Sequence, residues 1–136
     1  MLEGSRALID NTLYWIECVS ADEAHYLAAI INSDTLRDAV EPLMPKGQFG
    51  ARDLHKHLWK LNVPQYDPSE RLHRLLAGRG AQAAAEAAVA LTALRTQAAA
   101  ANQIISCDTV RRQIRSGLAG SRTGASIERL VSKLNL

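Results

Sequence analysis

The sequence predicts an α+β fold, in which short helices cover a small β-sheet and an alanine-rich helical arm follows at the C-terminal side. Two stretches predict the sheet. Residues 11–19 are rich in aromatic and β-branched side chains, and residues 59–63 alternate apolar with polar side chains. The arm is predicted by residues 81–101, where alanine dominates and helix propensity is high. Residues 1–68 are therefore expected to form the α+β portion, and residues 69–136 a helical arm that packs on it or extends from it.

Length and composition fit a single globular core. The chain has 136 residues, of which 47% are hydrophobic and 22% charged, and its formal net charge is +2. A weakly basic balance permits nucleic acid as a partner without requiring it. Cys18 and Cys107 lie in unrelated segments, and we find neither a signal-peptide pattern nor an apolar run of about 20 residues. We therefore expect a protein of the reducing cytoplasm with no membrane partner.

The first two helices have clear starting signals. Ser20 and Glu23 form a capping box, in which the side chains satisfy free backbone amides at the helix start. Ser33 or Asp34 can cap a second short helix, and prolines mark its ragged end. The apolar stripe predicted for the first helix consists of Ala24, Leu27, Ala28 and Ile31. Both helices are expected to cover the sheet.

A long helix is predicted to start at Asp67 and Pro68, with Asp67 as its cap. Gly78 and Gly80 each cost about 1 kcal/mol relative to alanine, so a kink or break is expected there. Further along, Asp108 is predicted to cap another helix, and glycine and serine residues predict a loop over residues 117–124. A final amphipathic helix is predicted from Ile127, Leu130, Val131 and Leu134.

Residues 47–68 contain most of the residues that are uncommon in this chain or that favour a particular backbone conformation. Gly47 and Gly50 stand within four residues of each other, which predicts a loop with positive φ or close backbone approach. Residues 52–58 place two leucines four residues apart beside basic and imidazole side chains, which predicts a short amphipathic helix. A cationic loop and a short helix would thereby lie against the predicted strand at residues 59–63.

The same stretch has the chemistry of a DNA-binding surface. Arginine can contact phosphate or guanine through two hydrogen bonds, and glutamine can do so with adenine. A solvated polar face would have the same composition, so both interpretations are open at this point. The candidate DNA-binding residues are Lys46, Gln48, Arg52, His55, Lys56, His57 and Lys60. A second cationic set, for which a solvated face is the leading interpretation, consists of Arg111, Arg112, Arg115, Arg122, Arg129 and Lys133.

Catalytic and metal-binding motifs are not found in the sequence. The four histidines do not form an HExxH pattern, and they do not pair with cysteines at zinc-finger spacing. The glycines at positions 117, 120 and 124 lack the Gly-Lys-Ser/Thr end of a phosphate-binding loop. Neither cysteine has a candidate base beside it in sequence. We therefore expect no catalytic residue, no bound metal and no cofactor in this chain.

Three ordered blocks give the chain a family resemblance. They are EAHYLAAIINS at residues 23–33, GARDLHK at residues 50–56 and L-x-V-P-x-Y-D-P at residues 61–68. Together they resemble the C-terminal target-recognition region of adenine-specific DNA methyltransferases of restriction-modification type, and more distantly the specificity subunits of type I restriction enzymes. The resemblance implies two partners, double-stranded DNA and a catalytic methyltransferase domain or subunit. It also implies that the parent enzyme uses S-adenosylmethionine.

The chain departs from that family where the chemistry would be. It has no glycine-rich loop for S-adenosylmethionine and no Asn/Asp-Pro-Pro-Tyr/Phe motif for a flipped adenine, and its nearest string is Val63-Pro64-Gln65-Tyr66. We therefore expect a recognition module, either a fragment or a separate subunit, that does not methylate by itself. The alternative is a helical protein-interaction or dimerisation module with no nucleic-acid role. In that case a homodimer would form through the alanine-rich helix, with Val89 and Leu94 at the contact.

Overall fold

The computed structural model describes residues 16–44, 46–47, 50–51 and 60–136, and most of these residues are helical. The first helices are α1 (Ala21–Ile31), α2 (Asp34–Val40) and a 3-10 turn (Glu41–Leu43). The short strands β1 (Lys46–Gly47) and β2 (Gly50–Ala51) follow. The remaining helices are α3 (Arg71–Ala100), α4 (Cys107–Ala119) and α5 (Arg122–Val131).

The predicted α+β fold is wrong for the described part of the chain. Residues 16–19 and 60–63, which belong to the two predicted strands, form no strand. The strand pairing described is that of β1 with β2, where Lys46 lies opposite Ala51 and Gly47 opposite Gly50. Gln48 and Phe49, between the two strands, lie outside the described residues, as does the loop predicted there. The pairing of β1 with β2 is too small to be the sheet that the sequence suggested.

The alternation at residues 59–63 has a different cause from sheet pairing. Leu61 and Val63 pack against the hydrophobic core, as does Tyr66, while Asn62 is exposed. An alternating pattern identifies the side chains that are buried, but it does not identify the backbone's hydrogen-bond partners. Here an irregular segment packs Leu61 and Val63 against helices, as a strand would have packed them against its neighbours, while Trp59 lies outside the described residues.

Helix α1 begins as predicted but presents a different face. The Ser20 hydroxyl accepts a hydrogen bond from the Glu23 amide at 3.1 Å, which confirms the predicted cap. The Glu23 carboxylate accepts one from the amide of Val19 at 2.7 Å. The buried residues of α1 are Tyr26, Ala29 and Ile30, whereas Ala28 and Ile31 of the predicted stripe are exposed. The prediction placed the buried face of α1 incorrectly because it left out Tyr26, whose ring lies in the core.

Helix α2 is capped from two places in the sequence. The Ser33 hydroxyl accepts from the Leu36 amide at 3.1 Å, as its position in the sequence predicted. The carboxylate of Glu128, on α5, accepts from the amides of Asp34 and Thr35 at 2.8 and 2.9 Å, and from the Thr35 hydroxyl at 2.8 Å. An anion is favourable at this end of a helix, because unpaired N–H groups and the helix dipole point towards it. Glu128 therefore ties α5 to α2.

Helix α3 runs without a break through both glycines, so a predicted break at Gly78 and Gly80 is wrong. Gly80 lies where α3 crosses α1, and a Cβ at this position would overlap the carbonyl oxygen of His25. Close approach of two backbones therefore requires this glycine. A Cβ at Gly78 would meet nothing.

The start of α3 also differs from the prediction. The N-cap is Glu70, with no side-chain cap, rather than Asp67. Asp67 instead accepts from the amide and the hydroxyl of Ser69, both at 2.7 Å, in a local turn before the helix. The side chain of Arg74 donates to the carbonyl oxygens of Pro68 and Ser69, which holds this turn against the first turn of α3.

The C-terminal helices are longer than predicted, and little of the expected loop remains. Helix α4 is capped by Ser106 rather than Asp108, and Asp108 pairs with Arg112 at 3.0 Å. Only Gly120 and Ser121 separate α4 from α5. Gly124 permits this tight connection, because a Cβ there would overlap the carbonyl oxygen of Leu118.

The core lies where α1, α2, the first half of α3 and α5 meet. Its most completely buried large side chains are Tyr26, Ile30, Leu36, Val40, Leu76 and Val131. Helix α4, by contrast, contains no buried residue. None of the helices in the described ranges is long and apolar enough to cross a membrane.

Candidate functional site

Tyr26 holds together two of the blocks on which the family resemblance depends. Its side chain is fully buried, and its hydroxyl donates to the carbonyl oxygen of Pro64 at 3.0 Å. Its ring lies 5.4 Å from the ring of Tyr66 and 4.8 Å from that of His73. Burial raises the pKa of Tyr26 to about 12, so the phenol remains a hydrogen-bond donor at neutral pH. The first and third blocks therefore pack directly on each other.

His73 fixes the turn that follows this cluster. Its Nδ1 accepts a hydrogen bond from the amide of Asp67 at 3.0 Å, so the ring proton lies on Nε2. Two hydrogen bonds from Ser69 lower the pKa of the Asp67 carboxyl, and the charge of Arg74 adds to the effect. His73 is buried and in contact with Tyr26, so it has a structural role in this arrangement.

The predicted DNA-binding residues lie on the stretch between residues 45 and 60. Lys60 is exposed at the point where the described chain resumes, and the backbone of Lys46 belongs to β1. The other five, Gln48, Arg52, His55, Lys56 and His57, lie outside the described residues, as does the predicted helix at residues 52–58. Met44 on one side of the stretch and Leu61 on the other both pack against the core. The stretch is thus fixed to the helical core at its two ends.

The second cationic set is divided among different surroundings. Arg112 pairs with Asp108, and Arg115 approaches Asp34 at 3.4 Å. Arg122, Arg129 and Lys133 are exposed on the outer side of α5 and the turn that follows it. Arg111 and Arg115 lie on the side of α4 that faces α3. The structure therefore does not bring the six residues together into one surface.

Reactive groups are sparse in the described ranges. No cluster of three or more His, Cys, Asp or Glu side chains that could hold a metal ion occurs there. Both cysteines are free thiols, Cys18 half-buried and Cys107 exposed. Burial, and then the charge of Glu23, raises the pKa of the Cys18 thiol. A raised pKa favours the protonated and less reactive form.

An apolar groove of about 710 Å³ lies between α3 and α4 and is open to solvent. Its α3 side is formed by Ala83, Ala84, Ala87 and Leu91, and its α4 side by Val110, Ile114 and Leu118. Residues of α1, including Ala28, and of α5, including Ile127, complete the lining. We call this feature the α3/α4 groove. It has the size and the mostly apolar character typical of binding clefts in proteins.

The charges along the α3/α4 groove are not balanced. Two carboxylates line it, but that of Glu128 is occupied by the first turn of α2, and that of Asp34 is paired with Arg37 at 2.9 Å. Arg95 and Arg111 also line it, and within the described ranges neither forms an ion pair. The unpaired charge of the groove is therefore positive.

The spacing of apolar and small residues in α3 and α4 indicates the two walls of the groove, but the high alanine content of α3 makes its stripe hard to recognise. The α3 residues along the groove fall at helical spacing on one face, and they include Gly80, Ala83, Ala87 and Leu91. The face of α4 along the groove shows the same spacing at Val110, Ile114 and Leu118. Both stripes predict burial. Spacing alone does not reveal that the two helices leave a gap between them.

Comparisons with models of protein families, with curated proteins and with solved structures find no match for this chain. The residues of the chain and their arrangement therefore have to support any functional conclusion.

Proposed function

We propose that this chain is a DNA target-recognition module of an adenine-specific DNA methyltransferase. In this function it binds double-stranded DNA through residues 46–60 and depends on a catalytic methyltransferase domain or subunit for S-adenosylmethionine and for methyl transfer. The proposal starts from the three sequence blocks that resemble this family. It does not depend on the α+β fold, since the recognition stretch can be held by helices equally well.

The observation that supports the proposal most is the contact between the blocks. Tyr26 of the first block contacts Pro64 and Tyr66 of the third, and the second block lies between them in the sequence. Met44, which precedes the cationic stretch, and Leu61, which follows it, both pack against the core. Binding residues are commonly found on connecting segments that a rigid scaffold positions. We expect the cationic stretch, which is anchored to the helical core at its two ends, to be such a segment.

Titration of a fluorescein-labelled duplex at several salt concentrations tests the proposal. Each cation that meets a phosphate should lower the magnitude of the slope of log K against log[salt] by about 0.9 when it is removed. Lys60→Ala is expected to show this change. Lys133→Ala, beyond the end of α5, is the matched control and should change the slope less. Absence of duplex binding by the unchanged protein, even at low salt, would show that the proposal is wrong.

Arg52 provides a sharper test within the same titration. Its planar guanidinium can form two parallel hydrogen bonds, which lysine cannot reproduce, so Arg52→Lys should weaken duplex binding although the charge is kept. Arg52 could instead stabilise the stretch by pairing with Asp53 or Glu41. That role predicts a lower melting temperature with unchanged DNA affinity of the folded protein, so thermal melts of the same variant distinguish the two.

The alternative function is a helical interaction module that dimerises through α3. Val89 favours it, because this large apolar side chain is 72% exposed. Leu94, the other residue predicted for the contact, lies beside Ile114 and Leu118 of α4 and is half-buried. A dimer detected by light scattering that Val89→Lys abolishes, in protein that binds no duplex, would support this alternative in place of DNA recognition.

A further inference from the structure

We propose that the α3/α4 groove binds an amphipathic helix of a partner protein, which inserts one apolar face and carries carboxylates beside that face. The proposal concerns a surface distinct from residues 46–60 and does not depend on DNA binding. Helix-in-groove recognition of this kind uses apolar anchors at i, i+3, i+4 and i+7 of the bound helix.

The shape of the groove favours a helix. Its lining extends along α3 from Gly80 to Arg95 and along α4 from Cys107 to Ala119, which corresponds to roughly 18–22 Å at 1.5 Å per residue. A volume of 710 Å³ spread over such a length leaves a cross-section of about 35 Å², so the groove accommodates a row of side chains rather than a whole helix. A bound helix of about three or four turns would span this length.

The walls of the groove are helical faces that are only partly covered. No residue of α4 is buried, although its amphipathic pattern turns Val110, Ile114 and Leu118 towards the groove. On the opposite side, most of the α3 residues that line the groove are small, namely Gly80, Ala83, Ala84 and Ala87. Filling the groove with leucine-sized side chains would therefore remove apolar surface of α4 from water, which favours binding.

The charges of the groove determine the sign of the partner. Arg95 lies towards one end of the α3 face and Arg111 on the α4 face, and neither forms an ion pair within the described ranges. Carboxylates on either side of an apolar stripe would meet these two guanidinium groups. The two carboxylates that line the groove do not repel such a helix strongly, because α2 and Arg37 already engage them.

A second copy of this chain is a poorer occupant. The most amphipathic helices, α4 and α5, contain arginines beside their apolar faces, among them Arg111, Arg115 and Arg129. Like charges would then meet at the groove, which costs binding energy. The apolar face of α1, which has two acidic residues in its first turn, is already packed against α3.

Two fluorescein-labelled helical peptides test the proposal on the full chain. Both contain the same leucine stripe, and they differ only in whether glutamate or lysine flanks it. We expect the glutamate peptide to bind and the lysine peptide to bind at least tenfold more weakly. Competition by the same unlabelled glutamate peptide, and not by a scrambled one, is expected if binding occurs through the ordered stripe.

Matched variants locate the binding site. Ala84→Phe places a large side chain in the groove and should weaken peptide binding at least tenfold, whereas Ala85→Phe, at the next exposed position outside the groove, should not. Arg111→Gln should weaken binding about two- to fivefold, the range expected for one exposed ion pair. Arg112→Gln lies outside the groove lining and should leave binding unchanged. Circular dichroism melts establish that each variant is folded.

Several outcomes would contradict the proposal. These are equal binding of the two peptides, equal effects of Ala84→Phe and Ala85→Phe in folded protein, or no peptide binding. Displacement of a fluorescent fatty acid by dodecanoate, without peptide binding, would assign the groove to a small amphiphilic carboxylate instead. Because duplex titration uses other residues, loss of peptide binding in Ala84→Phe with retained DNA binding distinguishes this inference from the proposed function.

Discussion

The two halves of α3 are helical for different reasons. Residues 71–86 include the buried residues of the helix, among them His73, Leu76 and Gly80, which pack against α1. Residues 87–100 contain no buried residue. That second half depends mainly on alanine, the residue with the highest helix propensity, and on partial cover by α4. One continuous helix thus combines a part held by tertiary packing with a part held largely by its own backbone preference.

Two glycines in the packed half show that the effect of glycine within a helix depends on what the helix packs against. Gly78 and Gly80 stand two residues apart in the packed half, yet a Cβ would be accommodated at one and would collide with α1 at the other. The general cost of glycine predicts a weakness at both positions. Only the neighbouring helix reveals that one of them is required.

The largest expected effect compares one leucine in each half. Leu76→Ala should destabilise the protein by about 2–5 kcal/mol, because Leu76 is fully buried and its removal leaves a cavity. Leu94→Ala, at a half-buried position in the second half, should lower the free energy of unfolding by less than about 1 kcal/mol. Urea denaturation of both variants measures the difference. Similar losses would mean that the second half is packed as firmly as the first.

A smaller effect separates the two glycines. Gly80→Ala should cost about 1–3 kcal/mol, because α1 and α3 must move apart to relieve the overlap with His25. Gly78→Ala is the matched control and should stabilise the protein by about 0.4–1 kcal/mol, since nothing opposes the added methyl group. Thermal melts of the pair are sufficient, and destabilisation by both substitutions would show that glycine is needed for a reason other than contact with α1.

A substitution in the second half of α3 should change the stability of that half without changing the stability of the packed half. Ala93→Gly, at an exposed position, should lower local helix stability by about 1 kcal/mol, and so increase amide exchange of residues 87–100 about fivefold. Exchange of the amides around Leu76 should not change. Uniform acceleration along α3 would show that the two halves open as one unit.

The smallest effect is a dependence on pH confined to the start of the packed half. Hydrogen bonds from Ser69 lower the pKa of Asp67 below its ordinary value of 3.8. The folded-state pKa is depressed, so the stabilisation is complete above 3.8 and is lost as the pH falls through the folded value. Protection of the amides near Arg71, measured relative to their intrinsic exchange rates at each pH, should therefore fall in acid, and Asp67→Asn should remove this dependence. Residues 87–100 contain no titratable carboxyl or imidazole and should lack it.

Local signals predicted the helix starts at Ser20 and Ser33, because each cap is completed within three residues. The start of α3 was misassigned because Asp67 has a nearer partner in Ser69. The sheet was misassigned because alternating burial at Leu61 and Val63 arises from packing on helices. These errors share one cause. A short-range sequence pattern shows which side chains and backbone groups must be buried or hydrogen-bonded, whereas the residues that they contact depend on the fold of the whole chain.

The candidate site divides in the same way. The cationic stretch was identifiable from composition, and Lys60 is exposed as a DNA contact would require. The α3/α4 groove could not be predicted, because it depends on how far apart two helices stand. No spacing rule within either helix contains this information.

The contact of Glu128 with the first turn of α2 sets an order of events during protein synthesis. The two ends of this contact are 94 residues apart, so at 5–20 residues per second the anionic partner of α2 emerges roughly 5–19 s after the helix it completes. During that interval the amides of Asp34 and Thr35 lack this partner. The first turn of α2 therefore obtains the Glu128 carboxylate only after α5 has been synthesised. A nascent chain that stops before Glu128 would expose an incompletely capped α2 to chaperones and proteases.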